Sequence, residues 1–120
     1  MKPPLSSILL TLLAAAALSA ALSAALFANP AQQTFTGVIT DSMCPKGDHS
    51  QMQMGATDAD CTAACISVHG AEYVLYDGKD VYMLSDQRTP GKFAGKKVKV
   101  LGTLDAGSKK IQVDSITAAK

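Results

Sequence analysis

After residue 33 the chain is organised by alternation and by short runs of β-branched and aromatic residues. Thr34-Phe35-Thr36-Gly37-Val38-Ile39-Thr40 is such a run and predicts a first strand, with Gly37 marking a bulge or sharp bend inside it. Tyr73-Val74-Leu75-Tyr76 and Val81-Tyr82-Met83-Leu84 flank Asp77-Gly78-Lys79-Asp80, and Asp-Gly tolerates the positive φ of a tight turn, so a hairpin is expected there. From Lys97 to Leu104, Val98, Val100 and Leu104 fall on one face and Lys97, Lys99 and Thr103 on the other, which predicts a strand with one wet face. A turn over Asp105 to Ser108 leads into Ile111-Gln112-Val113-Asp114, which alternates again and closes a second hairpin.

The stretch from Asp41 to Glu72 breaks this pattern. It has few large aliphatics and cannot build a core of its own. Thr57-Asp58-Ala59-Asp60 resembles a capping box with Thr57 as N-cap, and Gly70 suits the left-handed position that ends a helix, so one short helix is expected over residues 58 to 69. The order is then strand, helix-bearing excursion, hairpin, hairpin. A mainly β, five-stranded OB-like barrel accommodates it, with its one helix after the first strand, where an ordinary OB fold carries a helix between the third and fourth.

Residues 1–28 form a different region. Lys2 is their only charge, and Leu and Ala dominate from Leu5 to Ala28, up to the break at Asn29-Pro30. This is the pattern of a signal helix removed on export, with an uncleaved membrane anchor as the alternative. The expected organisation is a signal peptide over 1–28, a short linker over 29–33 and one domain over 34–120, periplasmic or extracellular. The chain has 120 residues and a net charge of +1, all of it contributed by Lys2, so the exported domain is neutral. That size allows a single thin core and excludes a multidomain enzyme. The lysines of the C-terminal part, Lys92, Lys96, Lys97, Lys99, Lys109 and Lys110, read as a solvated face guarding strand edges, and no nucleic-acid partner is expected.

The excursion over 41–72 holds all three cysteines, both histidines and three of the five methionines. Cys44, His49, Cys61, Cys65 and His69 are potential metal ligands within 26 positions. On a helix, Cys61, Cys65 and His69 recur every four residues on one face, and a loop carrying Cys44 and His49 could close over it. Three thiolates and an imidazole suit tetrahedral Zn²⁺, although Cys-x-x-x-Cys is not a standard zinc spacing. Met43, Met52 and Met54 beside Cys44 and His49 make a softer set of thioether, thiolate and imidazole that suits Cu(I), or else they only cap an apolar surface.

An oxidising compartment favours a different use of the same residues. Cys44 can pair with Cys61 or Cys65 in a disulfide that leaves one thiol over, whereas Cys61 with Cys65 is a poor pair on an intact helix. Closing a loop of roughly 20 residues in this way would contribute about 3 kcal/mol. His69 is then explained by its helix C-terminus alone. A third use is a redox-active thiol at Cys61, in the first helical turn, opposed by the negative charge of Asp58 and Asp60.

Gly37-Val38-Ile39-Thr40-Asp41-Ser42-Met43-Cys44, followed by His49, Cys61, Cys65, Tyr73-Val74-Leu75-Tyr76-Asp77, Asp86-Gln87 and Phe93 to Asp105, resembles a family of small secreted bacterial proteins frequent in acidobacterial genomes. The Asp-x-x-Cys, His, Cys-x-x-x-Cys order is the most specific part. The resemblance implies secretion and an OB-like domain of unknown function, and it supplies no activity. The function expected from the sequence is therefore a secreted OB-like protein whose disulfide-stapled excursion binds a protein or small ligand, with a Zn or Cu protein and a thiol redox protein as the alternatives. No catalytic constellation is evident, so an enzyme is not expected.

Overall fold

The computed structural model describes residues 30–120, so the expected leader lies outside the described residues. The elements in chain order are β1 (Gln33–Asp41), α1 (Asp58–His69), β2 (Tyr73–Tyr76), β3 (Val81–Leu84), a short 3-10 helix (Thr89–Phe93), β4 (Lys97–Asp105) and β5 (Lys110–Ala118). This is a mainly β chain with a five-stranded sheet and one short α-helix, as the alternation and the caps predict. Two elements differ from expectation. The fifth strand runs on through Ser115-Ile116-Thr117, because a register shift at Leu101/Gly102 lets β5 keep pairing with β4 after its first alternation ends. The 3-10 helix, opened by Pro90 in its first turn, has no counterpart in the sequence reading.

Every strand pairs with two others, in the order β1-β2-β3-β5-β4, and β4 returns to β1, so the sheet closes on itself. All pairings are antiparallel except β3 with β5, which run parallel. β1 serves two neighbours in turn. Its first half pairs with β4 from Gln33↔Gly102 to Val38↔Lys97, and its second half pairs with β2 from Val38↔Tyr76 to Asp41↔Tyr73. Gly37 sits at this handover without any register shift in β1. A Cβ there would run into the Tyr76 carbonyl oxygen, so of the expected bulge or sharp bend there is no bulge, and the glycine marks a close backbone approach.

The core is mainly aliphatic, with Tyr73 among its buried members. Ile39, Leu75, Leu84, Val98, Val100 and Ile111 point into it from all five strands. By alternation Asp41 shares the face of Ile39, so β1 ends by delivering a carboxylate to the rim of that core. Helix α1 covers this end. Its N-cap is Thr57, whose side chain accepts from Asp60 N–H, and Gly70 ends it at φ 67°. Cys61, Thr62 and Cys65 face inward, with Ala59 and Ile66 packed against the core.

Gln87 locks the hairpin next to this rim. Its side-chain carbonyl accepts from Tyr73 N–H at 2.7 Å, and its amide donates to the carbonyls of Tyr73 and Leu84, each at 3.0 Å. Among the described residues no helix is long and apolar enough to cross a membrane.

Candidate metal centre

The site begins with the carboxylate that β1 delivers. Asp41 is fully buried, and its Oδ1 accepts from the N–H groups of Met43 at 3.0 Å and Cys44 at 2.9 Å. These bonds fold the chain after β1 into a tight turn, and the Asp-x-x-Cys spacing follows from that geometry. Thr40 Oγ1 donates to the Cys44 carbonyl at 2.8 Å, which Gly47 N–H also meets at 2.8 Å. The turn is thus tied down on both sides and holds Cys44, 8% exposed, beside Asp41.

His49 returns to the same point. Its Nε2 lies 3.0 Å from Asp41 Oδ2 and 3.4 Å from Thr62 Oγ1, while its Nδ1 lies 3.2 Å from Asp58 Oδ1 in the first turn of α1. The ring side chain is 5% exposed, Asp41 not at all, and the Asp58 side chain 69%. An imidazole between two carboxylates bridges the strand end to the helix start. Among the described residues, no buried side-chain nitrogen or oxygen lacks a hydrogen-bond partner.

The electrostatics follow from this bridge. Burial disfavours charge on His49, but its bonds to Asp41 and Asp58 outweigh that and raise its pKa above 6.5. Burial likewise opposes ionisation of Asp41, yet His49 and the N–H groups of Cys44 and Met43 win, and the carboxyl titrates below 3.8. Cys44 is pushed up by burial and then by the carboxylates of Asp41 and Asp48. Cys65 is pushed up by burial and by the charge of Asp41.

One oxygen of Asp41, the sulfur of Cys44 and one ring nitrogen of His49 all lie within 4.8 Å of one another, and all three residues are buried. A single cation could contact all three donors after small side-chain adjustments. The structure therefore brings together two of the five ligands expected from the sequence, Cys44 and His49, and adds Asp41. Cys65 lies next to this group through Asp41, and Cys61 turns its S–H to the Gly55 carbonyl at 3.4 Å. His69 is exposed at the last turn of α1, eight residues beyond Cys61 and so about 12 Å along the axis, outside the cluster. All three cysteines are free and buried.

The spacing rule for helices picked out the Cys61, Cys65, His69 face but not Asp41, because a carboxylate at a strand end reads as an ordinary turn residue. The Asp-x-x-Cys order was the available signal, since an Asp three residues before Cys can cap the turn that presents the thiol. A cavity of about 300 Å³ lies on the His49 side of the cluster, lined also by Ile39, Thr40, Lys46 and Asp58. Set against known protein families, curated proteins and solved structures, the chain gives no match.

Proposed function

We propose that the protein is a small OB-like barrel, exported from the cytoplasm, that binds a transition-metal ion, Zn²⁺ or copper, at Asp41, Cys44 and His49. One observation carries the reading: three chemically suitable donor atoms from residues 41, 44 and 49 converge within 4.8 Å of one another in a buried site. Asp58 supports it, because a carboxylate on Nδ1 holds a proton there, so that Nε2 can exchange its bond to Asp41 for one to an ion. Binding would replace the Asp41–His49 hydrogen bond by bonds from both groups to the ion, and would release to solvent the proton shared between them together with the Cys44 proton. Three protein ligands leave a further position on Zn²⁺ for a small exogenous ligand, and the cavity beside His49 offers room for it.

The OB-like label rests on the closed order β1-β2-β3-β5-β4 with its parallel β3/β5 contact. The 3-10 helix occupies the connection where an ordinary OB fold carries its helix, and α1 covers the rim from the β1–β2 connection. Export and kinship with the secreted family rest on the leader and on the Asp-x-x-Cys, His, Cys-x-x-x-Cys order.

The disulfide-stapled module is the rival reading. It rests on the sequence, where an exported chain meets an oxidising compartment, whereas all three cysteines are free in the structure. Metal analysis of protein isolated without chelator, combined with mass measurement after thiol blocking, decides between them. Bound metal at one per chain with three thiols, lost in Cys44→Ser, supports the metal reading. Metal-free protein with a single blockable thiol, and no saturable uptake of Zn²⁺ or copper after reduction, replaces it with the stapled module.

A further inference from the structure

The methionines of the excursion take no part in the three-donor cluster, and the structure separates them. Met43 and Met52 line one cavity of about 350 Å³ together with Cys44, Lys46 and Asp48, whereas Met54 is 36% exposed and lines neither cavity described here. Met43 is 45% exposed, so it does little to cap an apolar surface.

The loop that carries these sulfurs is held by its own hydrogen bonds. Met43 and Cys44 are fixed by Asp41, Ser50 N–H donates to Asp48 at 3.0 Å, and Met52 N–H donates to the His49 carbonyl at 3.0 Å. One cysteine and two methionines therefore border one cavity, on a loop that needs little ordering. Preorganisation of this kind lowers the entropy cost of binding.

Resting on the metal-binding reading above, we propose that the cavity over Cys44 is a soft-metal mouth that takes monovalent copper through the Cys44 thiolate and the Met43 and Met52 thioethers. Cu⁺ forms a bond to the Cys44 sulfur, the thiol proton leaves to solvent, and no electron is transferred. Thiolate and thioether donors select Cu(I), while Asp41 and His49 on the other side of Cys44 suit a borderline divalent ion. Both sites draw on one sulfur, so Cu(I) and Zn²⁺ exclude each other.

The test uses the full domain under anaerobic, reducing conditions, with Cu⁺ competed against a chromophoric Cu(I) chelator and Zn²⁺ measured in parallel. The variant is Met43→Leu/Met52→Leu, which keeps volume and apolar character at two residues outside the core. Its Cu⁺ affinity should fall by about tenfold or more while its Zn²⁺ affinity stays within about twofold of wild type. X-ray absorption at the copper edge should show a sulfur-only shell in the wild type and lose sulfur scatterers in the variant. Cu⁺ affinity unchanged in the double variant, or a copper shell containing nitrogen or oxygen in the wild type, overturns the soft-metal mouth while Zn²⁺ binding still stands. Failure of the wild type to bind either ion overturns the metal-binding reading as well.

Discussion

Removing the imidazole at position 49 should be among the most damaging single substitutions in this domain, even with no metal bound. His49→Ala leaves Asp41 fully buried with only two backbone N–H partners for its charge. Breaking a buried pair from one side costs about 3–5 kcal/mol, a large share of the roughly 5–15 kcal/mol that holds a small domain together. The other end of the bridge behaves differently. The Asp58 side chain is 69% exposed, so Asp58→Asn should cost about 1 kcal/mol or less for the ion pair, plus a few tenths for the helix dipole.

Urea unfolding of chelator-treated, reduced protein measures both, and the expected result is this asymmetry. Asp41→Asn in the His49→Ala background should recover part of the loss, because no charge is then buried. The pH dependence gives a second readout. The His49 pKa is raised on folding, so its contribution is fully present below pH 6.5 and fades as pH rises through the folded value. The Asp41 pKa is lowered, so its contribution is present above 3.8 and is lost as pH falls through the folded value. The gap between wild type and His49→Ala should therefore be widest between those limits and narrow on either side. A loss below about 1 kcal/mol for His49→Ala, or an equal loss for Asp58→Asn, would refute the reasoning.

Other outcomes follow from the same structure. Zn²⁺ should raise the melting temperature of the wild type but not of Cys44→Ser, and binding heats in buffers of different ionisation enthalpy should reveal about one to two protons released per ion at neutral pH. Gly37→Ala should cost about 1–3 kcal/mol or more, because the added methyl meets backbone, whereas Gly70→Ala should cost about 1 kcal/mol from its φ of 67° with nothing within 4 Å. Equal losses at the two glycines would contradict that distinction. Gln87→Ala should cost about 1–3 kcal/mol by removing the partners of Tyr73 and Leu84, read as an earlier urea midpoint with unchanged slope.

The elements were legible because they follow local rules. The capping box at Thr57, the glycine at 70 and the Asp-Gly turn at 77–78 each act within a few residues, and the helix and the first hairpin fall where those signals put them. The site was only half legible, since its geometry is made by tertiary closure. His49 meets Asp41 eight residues back and Asp58 nine residues on because α1 lies across the end of β1, and no periodicity encodes that crossing. Helical spacing instead favoured His69, which shares a face with Cys61 and Cys65 but extends past the rim into solvent. The capping role of Gln87 was hidden for a similar reason, as an amide that caps two strands reads in sequence as an ordinary loop residue.

The parallel contact between β3 and β5 spans only Met83↔Lys110 and Leu84↔Ile111, whereas β4 and β5 share eight paired positions. A cylinder shut by so short a clasp has an obvious place to come apart. Its cheapest excursion from the native state is to unlatch there and splay the β2–β3 hairpin while β1, β4 and β5 stay joined. Amide protons of β3 should then exchange with solvent well before those of β4, and an invading strand from another molecule would find its opening at this latch.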